Sequence, residues 1–200
     1  IDTQGKTMES INITPPSEEP QTQGLLIGLC GYSCSGKDSL ADVLVEHCNY
    51  VKLGFSDALW NLALTINPRL RIGWARHSRL QKIADRYGYT RAKEFPAVRR
   101  YLQWLGTEAV RHCLGEDAWI HALMPRVEAI LNEGRNVVIT NVRFVNEAEA
   151  VQELGGYVIR VDRSGKGPVN GHSSDAGLAF PLAFLVVENF GSLDALAQQA

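Results

Sequence analysis

An apolar run, Leu25 to Cys30, feeds straight into Gly31-Tyr32-Ser33-Cys34-Ser35-Gly36-Lys37-Asp38-Ser39, after which a helical pattern begins. A buried strand, a glycine-bounded loop closed by Gly-Lys, and then a helix is the layout that cradles phosphate, a P-loop. The glycines let backbone N–H groups turn inward, and the helix adds the positive end of its dipole. Lys37 is expected to reach the outer phosphates of a nucleotide. The next position, usually Ser or Thr so that a hydroxyl holds Mg²⁺, is Asp38, with the hydroxyl delayed to Ser39. The economical reading has Asp38 facing Mg²⁺, directly or through water, and Ser39 touching an inner phosphate.

The rest of the chain supplies the sheet such a loop requires. Residues 1–23 are polar and punctuated by Pro15, Pro16 and Pro20, so a disordered lead-in is expected. Within it Met8 reads as a native start, which would make residues 1–7 an appended leader. Residues 24–200 are expected to form one domain. Continuous apolar strands at Leu25–Cys30, Val51–Phe55, Val137–Thr140, Tyr157–Val161 and Phe184–Val187 alternate with helical patterns. The helices expected are Lys37–Cys48, Asp57–Ile66, Leu80–Tyr87, Pro96–Leu114, Asp117–Leu131, Glu147–Leu154 and Ser192–Gln199, while the arginine-rich stretch ending at Arg79 fits no pattern. The fold class is therefore α/β: a parallel sheet of about five strands with helices on both faces. In such sheets ligands bind beyond the carboxyl ends of the strands.

Composition narrows the partners. A formal net charge of −2 gives no electrostatic reason to expect polymeric nucleic acid or an anionic membrane, whereas a mononucleotide needs only a local cluster of cations. No apolar stretch approaches the roughly 20 residues that span a bilayer, and no basic-then-apolar leader opens the chain. Cys30, Cys34, Cys48 and Cys113 lack metal-ligand spacing and read as reduced thiols; Cys34 reads as a small filler of the loop. His112 and His121 are too isolated to propose as zinc ligands, and neither a nucleophile elbow nor a dinucleotide fingerprint is present.

Candidate residues sit just after the strands. Asp57, after the second, can orient a phosphoryl acceptor or take its proton; the simpler role is a helix cap. After the third come Asn141, an amide where a carboxylate is usual, and Arg143. Arg143 suits charge developing on a transferred phosphoryl group, or an ion pair with Glu147 four residues on. In the helix Pro96–Leu114, Val98, Leu102, Leu105, Ala109 and Cys113 form an apolar face. Arg99, Gln103, Thr107 and Arg111 recur every four residues on another, which is either solvated or suited to a phosphate and a base. Trp119 reads as core, with base stacking as the alternative. The loop after the fourth strand holds Arg163, Lys166, His172 and Asp175, a composition that suits closure over phosphates or a plain surface loop.

Read together and in order, several segments resemble phage-type deoxynucleoside monophosphate kinases. They are Gly31–Ser39, Phe55-Ser56-Asp57-Ala58-Leu59, Arg99-Arg100-Tyr101-Leu102-Gln103-Trp104-Leu105-Gly106-Thr107-Glu108, Asn141–Glu147, His172-Ser173-Ser174-Asp175 and Glu188–Leu193. The Leu-Gln-x-Leu-Gly-Thr-Glu segment is far more specific than the phosphate loop. The resemblance implies a nucleoside-monophosphate-kinase-like fold with a helical acceptor-binding insertion, transferring phosphoryl from ATP, with Mg²⁺, to a deoxynucleoside monophosphate. It implies ATP contacts at Ser33, Cys34, Ser35, Gly36, Lys37, Asp38 and Ser39, with Asn189 and Gly191 near the adenine and Arg143 at the transferring phosphate. Asp38 and Ser39 would serve the metal. Ser33, Leu59, Trp60, Arg99, Gln103, Gly106, Thr107, Trp119 and Asp175 would line the acceptor site, and Lys37, Arg143 and Asp57 are the catalytic candidates.

Three positions depart from the family pattern: Asn141 where Asp is common, Trp60 where Lys is common, and Asp175 where Glu is common. The missing cation at position 60 is expected from Arg71, Arg76 or Arg79. The competing readings are another small-molecule kinase, such as one resembling dephospho-coenzyme A kinase, and a nucleotide-binding regulator that transfers nothing. A cytoplasmic location is expected, the host cytoplasm if the chain is phage-encoded; a homodimer is left open.

Overall fold

The computed structural model describes residues 23–167 and 183–189. In chain order it contains β1 (Leu26–Cys30), α1 (Lys37–Cys48), β2 (Val51–Leu53), α2 (Phe55–Ile66), β3 (Arg69–Arg71), β4 (His77–Arg79) and α3 (Leu80–Ala92). Then come α4 (Pro96–Gln103), a π-helical stretch Trp104–Arg111, α5 (His112–Leu114), α6 (Ala118–Asn132), β5 (Val137–Ile139), α7 (Val145–Glu153), β6 (Tyr157–Asp162) and β7 (Leu185–Glu188). The expected helix Ser192–Gln199 and nearly all of the lead-in lie outside the described residues.

Five strands form one all-parallel sheet in the order β2-β5-β1-β6-β7. β1 is central, with Leu26 opposite Val137 on one side and Ile27 opposite Tyr157 on the other. Every residue of β5 is buried, which is why its Val-Val-Ile run is continuous and not alternating. Leu40, Ala41 and Leu44 of α1 pack with Leu29, Val138, Val161 and Val187 in one core cluster. A second, larger cluster joins Leu26, Cys30, Val137, Ile139 and Val158 to side chains of α2, α3, α4, α6 and α7. The sheet is thus covered on both faces, and β1 directs its C-terminal end, hence the Gly31–Ser39 loop, to the mouth between them.

Several segments depart from the sequence-based expectation: the second strand stops at Leu53, so that Phe55 opens α2, and α3 runs past Tyr87 to Ala92. The unassigned arginine-rich stretch is a β3–β4 hairpin, pairing Arg69 with Arg79 and Arg71 with His77. Its strands are three residues long, too short to show a two-residue period. The long helix from Pro96 is continuous but changes register inside. His112 N–H binds the carbonyl of Thr107, five residues back, so the π-helical stretch carries one extra residue per turn. The buried stripe therefore runs Val98, Leu102, Leu105 and then Val110, while Cys113, expected on the apolar face, is exposed.

Candidate active site

The Gly31–Ser39 loop has the backbone its sequence demands. Gly31 has φ of +131°, and a Cβ there would stand 2.3 Å from the Val161 carbonyl of β6, so only glycine lets the loop leave β1. Gly36 caps α1 with φ of 110°, and its carbonyl accepts the N–H of Leu40 at 2.9 Å. Lys37 Nζ donates to the Tyr32 carbonyl at 2.6 Å and to Ser35 Oγ at 3.4 Å. Burial, then the nearby Arg143 charge, lowers the Lys37 pKa below the ordinary lysine range. Asn189, just past β7, donates its side-chain N–H to the Ser35 carbonyl at 2.8 Å, placing it against the loop. Cys34 is exposed, and Cys30, one residue before the loop, is buried with its thiol pKa pushed up to about 11 by that burial.

Beside this loop lies a cleft enclosing about 880 Å³ of space, its open mouth included. Ser33 joins it to the loop. Phe55, Ser56, Leu59 and Trp60 come from α2, and Tyr89 and Lys93 from the end of α3. Arg99, Leu102, Gln103, Gly106, Thr107 and Arg111 come from α4 and the π-helical stretch; Trp119, Asn141, Arg143, Phe144 and Glu147 complete the wall. The polar stripe Arg99–Gln103–Thr107–Arg111 thus faces a cavity, not open solvent.

Each of these groups is held by identifiable contacts. Trp119 is buried, and its indole N–H donates to the Gly106 carbonyl at 2.9 Å, fixing the π-helical stretch. Gly106 in turn lets Leu59 approach, since a Cβ there would lie 3.1 Å from Leu59 Cδ2. Arg111 and Glu147 are only 6% and 3% exposed, with Nη1 and Oε1 3.7 Å apart. Arg111 also donates to Asn146 Oδ1 at 3.1 Å and lies over the Phe144 ring at 3.8 Å. Glu147 Oε2 accepts the backbone N–H groups of Arg143 and Phe144 at 2.7 and 3.2 Å, capping α7. Glu147 thus holds Arg143 through its backbone N–H, while among the described residues the acid's ion-pair partner is Arg111.

Asp57 makes a capping contact, the simpler of the two roles its sequence position offers. Its Oδ2 accepts the N–H of Gly54 at 2.8 Å, a capping-box contact at the third position of α2, and it is absent from the cleft wall. The hairpin arginines do not replace the cation missing at position 60. Arg71 binds the carbonyls of Gly73 and Trp74, Arg79 binds that of Asn67, and neither they nor Arg76 line the cleft. Lys93 lines it instead, and the sequence reading missed it because the helix was expected to end at Tyr87. Gly88 does break the helix (φ 73°, ψ 169°), but helical turns resume beyond it and carry Tyr89 and Lys93 inward. Asp175 and Gly191 lie outside the described residues.

Asp38 projects outward, its side chain 81% exposed and 3.5 Å from Lys52 Nζ, which prefers Asp42 at 2.8 Å. Among the described residues no cluster of three acidic, His or Cys side chains forms a metal cage. Mg²⁺ needs no such cage beside a nucleotide, since phosphate oxygens and water fill most of its shell. The loosely held carboxylate of Asp38 and the hydroxyl of Ser39, both on the first turn of α1, are hard oxygen donors that fit it.

Comparison with known proteins finds relatives of this chain by sequence. A family profile described as deoxynucleotide monophosphate kinase matches residues 73–200. A protein of Acanthamoeba polyphaga mimivirus, provisionally named a deoxynucleotide monophosphate kinase, is 30% identical over 77% of this chain and 82% of its own. The deoxynucleotide monophosphate kinases of Escherichia phage RB69 and Enterobacteria phage T4 are 33% and 30% identical over 50% of this chain. The aligned stretch spans 41% and 42% of those two phage enzymes.

Proposed function

The chain belongs to the deoxynucleotide monophosphate kinase family, and from that premise we propose that it transfers the γ-phosphoryl group of ATP to a deoxynucleoside monophosphate, releasing ADP and the diphosphate. The observation that carries this reading is the joining of a phosphate loop, through Ser33, to a largely apolar cleft walled in part by Arg99, Arg143 and the polar groups of the π-helical stretch. An anionic, flat, amphipathic acceptor matches that wall. Dephospho-coenzyme A kinase-like and purely regulatory readings gain nothing from it.

Chemically the acceptor brings its own nucleophile. A phosphate monoester has a second pKa near 6, so at neutral pH its oxygen attacks without a general base. This explains how Asp57 can be spent on a helix cap. The oxygen–phosphorus bond to the acceptor forms as the bond to the ADP oxygen breaks, and catalysis rests on alignment and neutralisation of charge. Loop N–H groups and Lys37 hold the donor phosphates; Arg143, set by Glu147, stands where charge passes between the substrates. Asp38 and Ser39 would hold Mg²⁺, which when bound adds positive charge at the donor phosphates. Gly106, Leu59, Gln103 and Thr107 shape the nucleoside side, and Asn189 braces the loop from β7. We place the reaction in the cytoplasm, where both substrates are available. ADP release measured with ATP against a panel of deoxy- and ribonucleoside monophosphates plus dephospho-coenzyme A tests the assignment; turnover confined to dephospho-coenzyme A, or absent throughout, contradicts it.

A further inference from the structure

Lys93 is an unexplained charge in the wall of the cleft. Its ammonium stands 3.5 Å over the face of Tyr89, a cation–π contact. It forms no ion pair with a described carboxylate, and its partly buried position takes it from water. Among the charges around it, Arg143 from the turn after β5 acts most strongly; Asp38 on α1 and Asp57 on α2 oppose it, and Arg99 from α4 adds a smaller repulsion. Burial, then Arg143, brings the Lys93 pKa down to about 8. A half-buried amine among arginines is costly unless an anion completes it.

Its mounting is fixed as deliberately as the arginines'. Asn141 at the end of β5 donates its side-chain N–H to Ser56 Oγ on α2. Ser56 and the Tyr89 hydroxyl share a hydrogen bond of 3.0 Å, and Trp60 meets the Tyr89 ring edge-on with centroids 4.8 Å apart. Side chains from α2 and the turn after β5 thus hold one aromatic ring, and the ring holds the ammonium.

We propose that Lys93, carried on the Tyr89 ring, is a specificity-determining contact for the phosphate monoester of the acceptor, selecting nucleotides over nucleosides in the cleft. The inference rests on the kinase reading above. Asn141 and Ser56 are positioning residues that act through Tyr89, which gives the amide at position 141 a task other than metal binding.

Isothermal titration without ATP tests it. Each of dAMP, dGMP, dCMP and dTMP is titrated into the wild-type protein, and the tightest, with its phosphate-free deoxynucleoside as competitor, into Lys93→Met and Lys93→Arg. Lys93→Met should bind the monophosphate about ten- to a hundredfold more weakly while leaving deoxynucleoside and ATP affinities within about twofold. Lys93→Arg should keep monophosphate affinity within about threefold at pH 7 and lose the decline that the wild type shows above pH 8, because guanidinium does not titrate there. Equal losses for nucleoside and nucleotide, or no loss, overturn the inference while the kinase reading stands. Should Lys93→Met not fold, an undiminished alkaline decline in Lys93→Arg overturns it. Failure of the wild type to bind any monophosphate overturns both readings.

Discussion

Glu147 Oε2 accepts the backbone N–H of Arg143 at 2.7 Å, so a buried acid on α7 fixes the direction in which the arginine leaves β5. The same carboxylate faces Arg111 of the π-helical stretch. One buried group therefore ties the wall of the acceptor cleft to the residue beside the phosphate loop. Packing alone would allow these two parts to shift independently.

Removal of that tie should be expensive. Glu147→Ala leaves two backbone N–H groups without their acceptor and a buried guanidinium without its counter-charge, and is expected to cost about 3 kcal/mol or more. Urea unfolding monitored by circular dichroism measures it; a change under about 1 kcal/mol contradicts the assignment.

The same residue gives a pH signature. Burial, outweighing its hydrogen bonds and Arg111, raises the folded-state pKa of Glu147 above the ordinary 4.5. The native state then binds the extra proton, so this contribution to stability is complete below 4.5 and is lost as pH rises through the folded value. Unfolding midpoints taken from pH 4 upward should show that slope in the wild type and its loss in Glu147→Gln.

Trp119→Phe separates anchoring from packing. The ring volume is largely retained, but the buried carbonyl of Gly106 loses its donor, for a cost of about 1–3 kcal/mol. The KM for the monophosphate should rise more than that for ATP, because the displaced segment carries Thr107 and Arg111. Steady-state kinetics with each substrate varied in turn decides this.

Arg99→Ala should weaken monophosphate use by about tenfold or more and leave ATP affinity nearly unchanged. Titration of both ligands checks it, and a fall in ATP affinity alone would mean that the acceptor side has been misplaced.

Much of this architecture was legible in the chain. The phosphate loop announces itself because Gly31 and Gly36 answer backbone demands that no other residue meets. The β5 run is apolar because both its faces are covered, and the Arg99-to-Arg111 stripe follows the turn of a helix. What stayed hidden depends on contacts distant in sequence. Arg111 and Glu147 meet across 36 positions, a pairing with no local trace, whereas Arg143 and Glu147 suggested a pair by their spacing alone. The π-helical register moved burial from Cys113 to Val110 and left Ala109 partly buried, since the wider hydrogen-bonded turns rotate everything after them. Lys93 escapes the sequence because the helical pattern is legible only to Tyr87, whereas the chain turns at Gly88 and re-enters the cleft.

Lys37 carries the clearest prediction of the phosphate loop. Lys37→Ala should stay folded, with a melting temperature within a few degrees of wild type, yet lose at least about a hundredfold in turnover. Retained activity would remove the loop from the reaction.

The central claim is direct transfer between two bound nucleotides, and isotope tracing addresses it at the atom concerned. With ATP labelled at the γ-phosphorus and a deoxynucleoside monophosphate as acceptor, the label should appear in the β-phosphate of the deoxynucleoside diphosphate, in step with ADP formation. Label found only in inorganic phosphate, with the monophosphate recovered unchanged, would contradict the account.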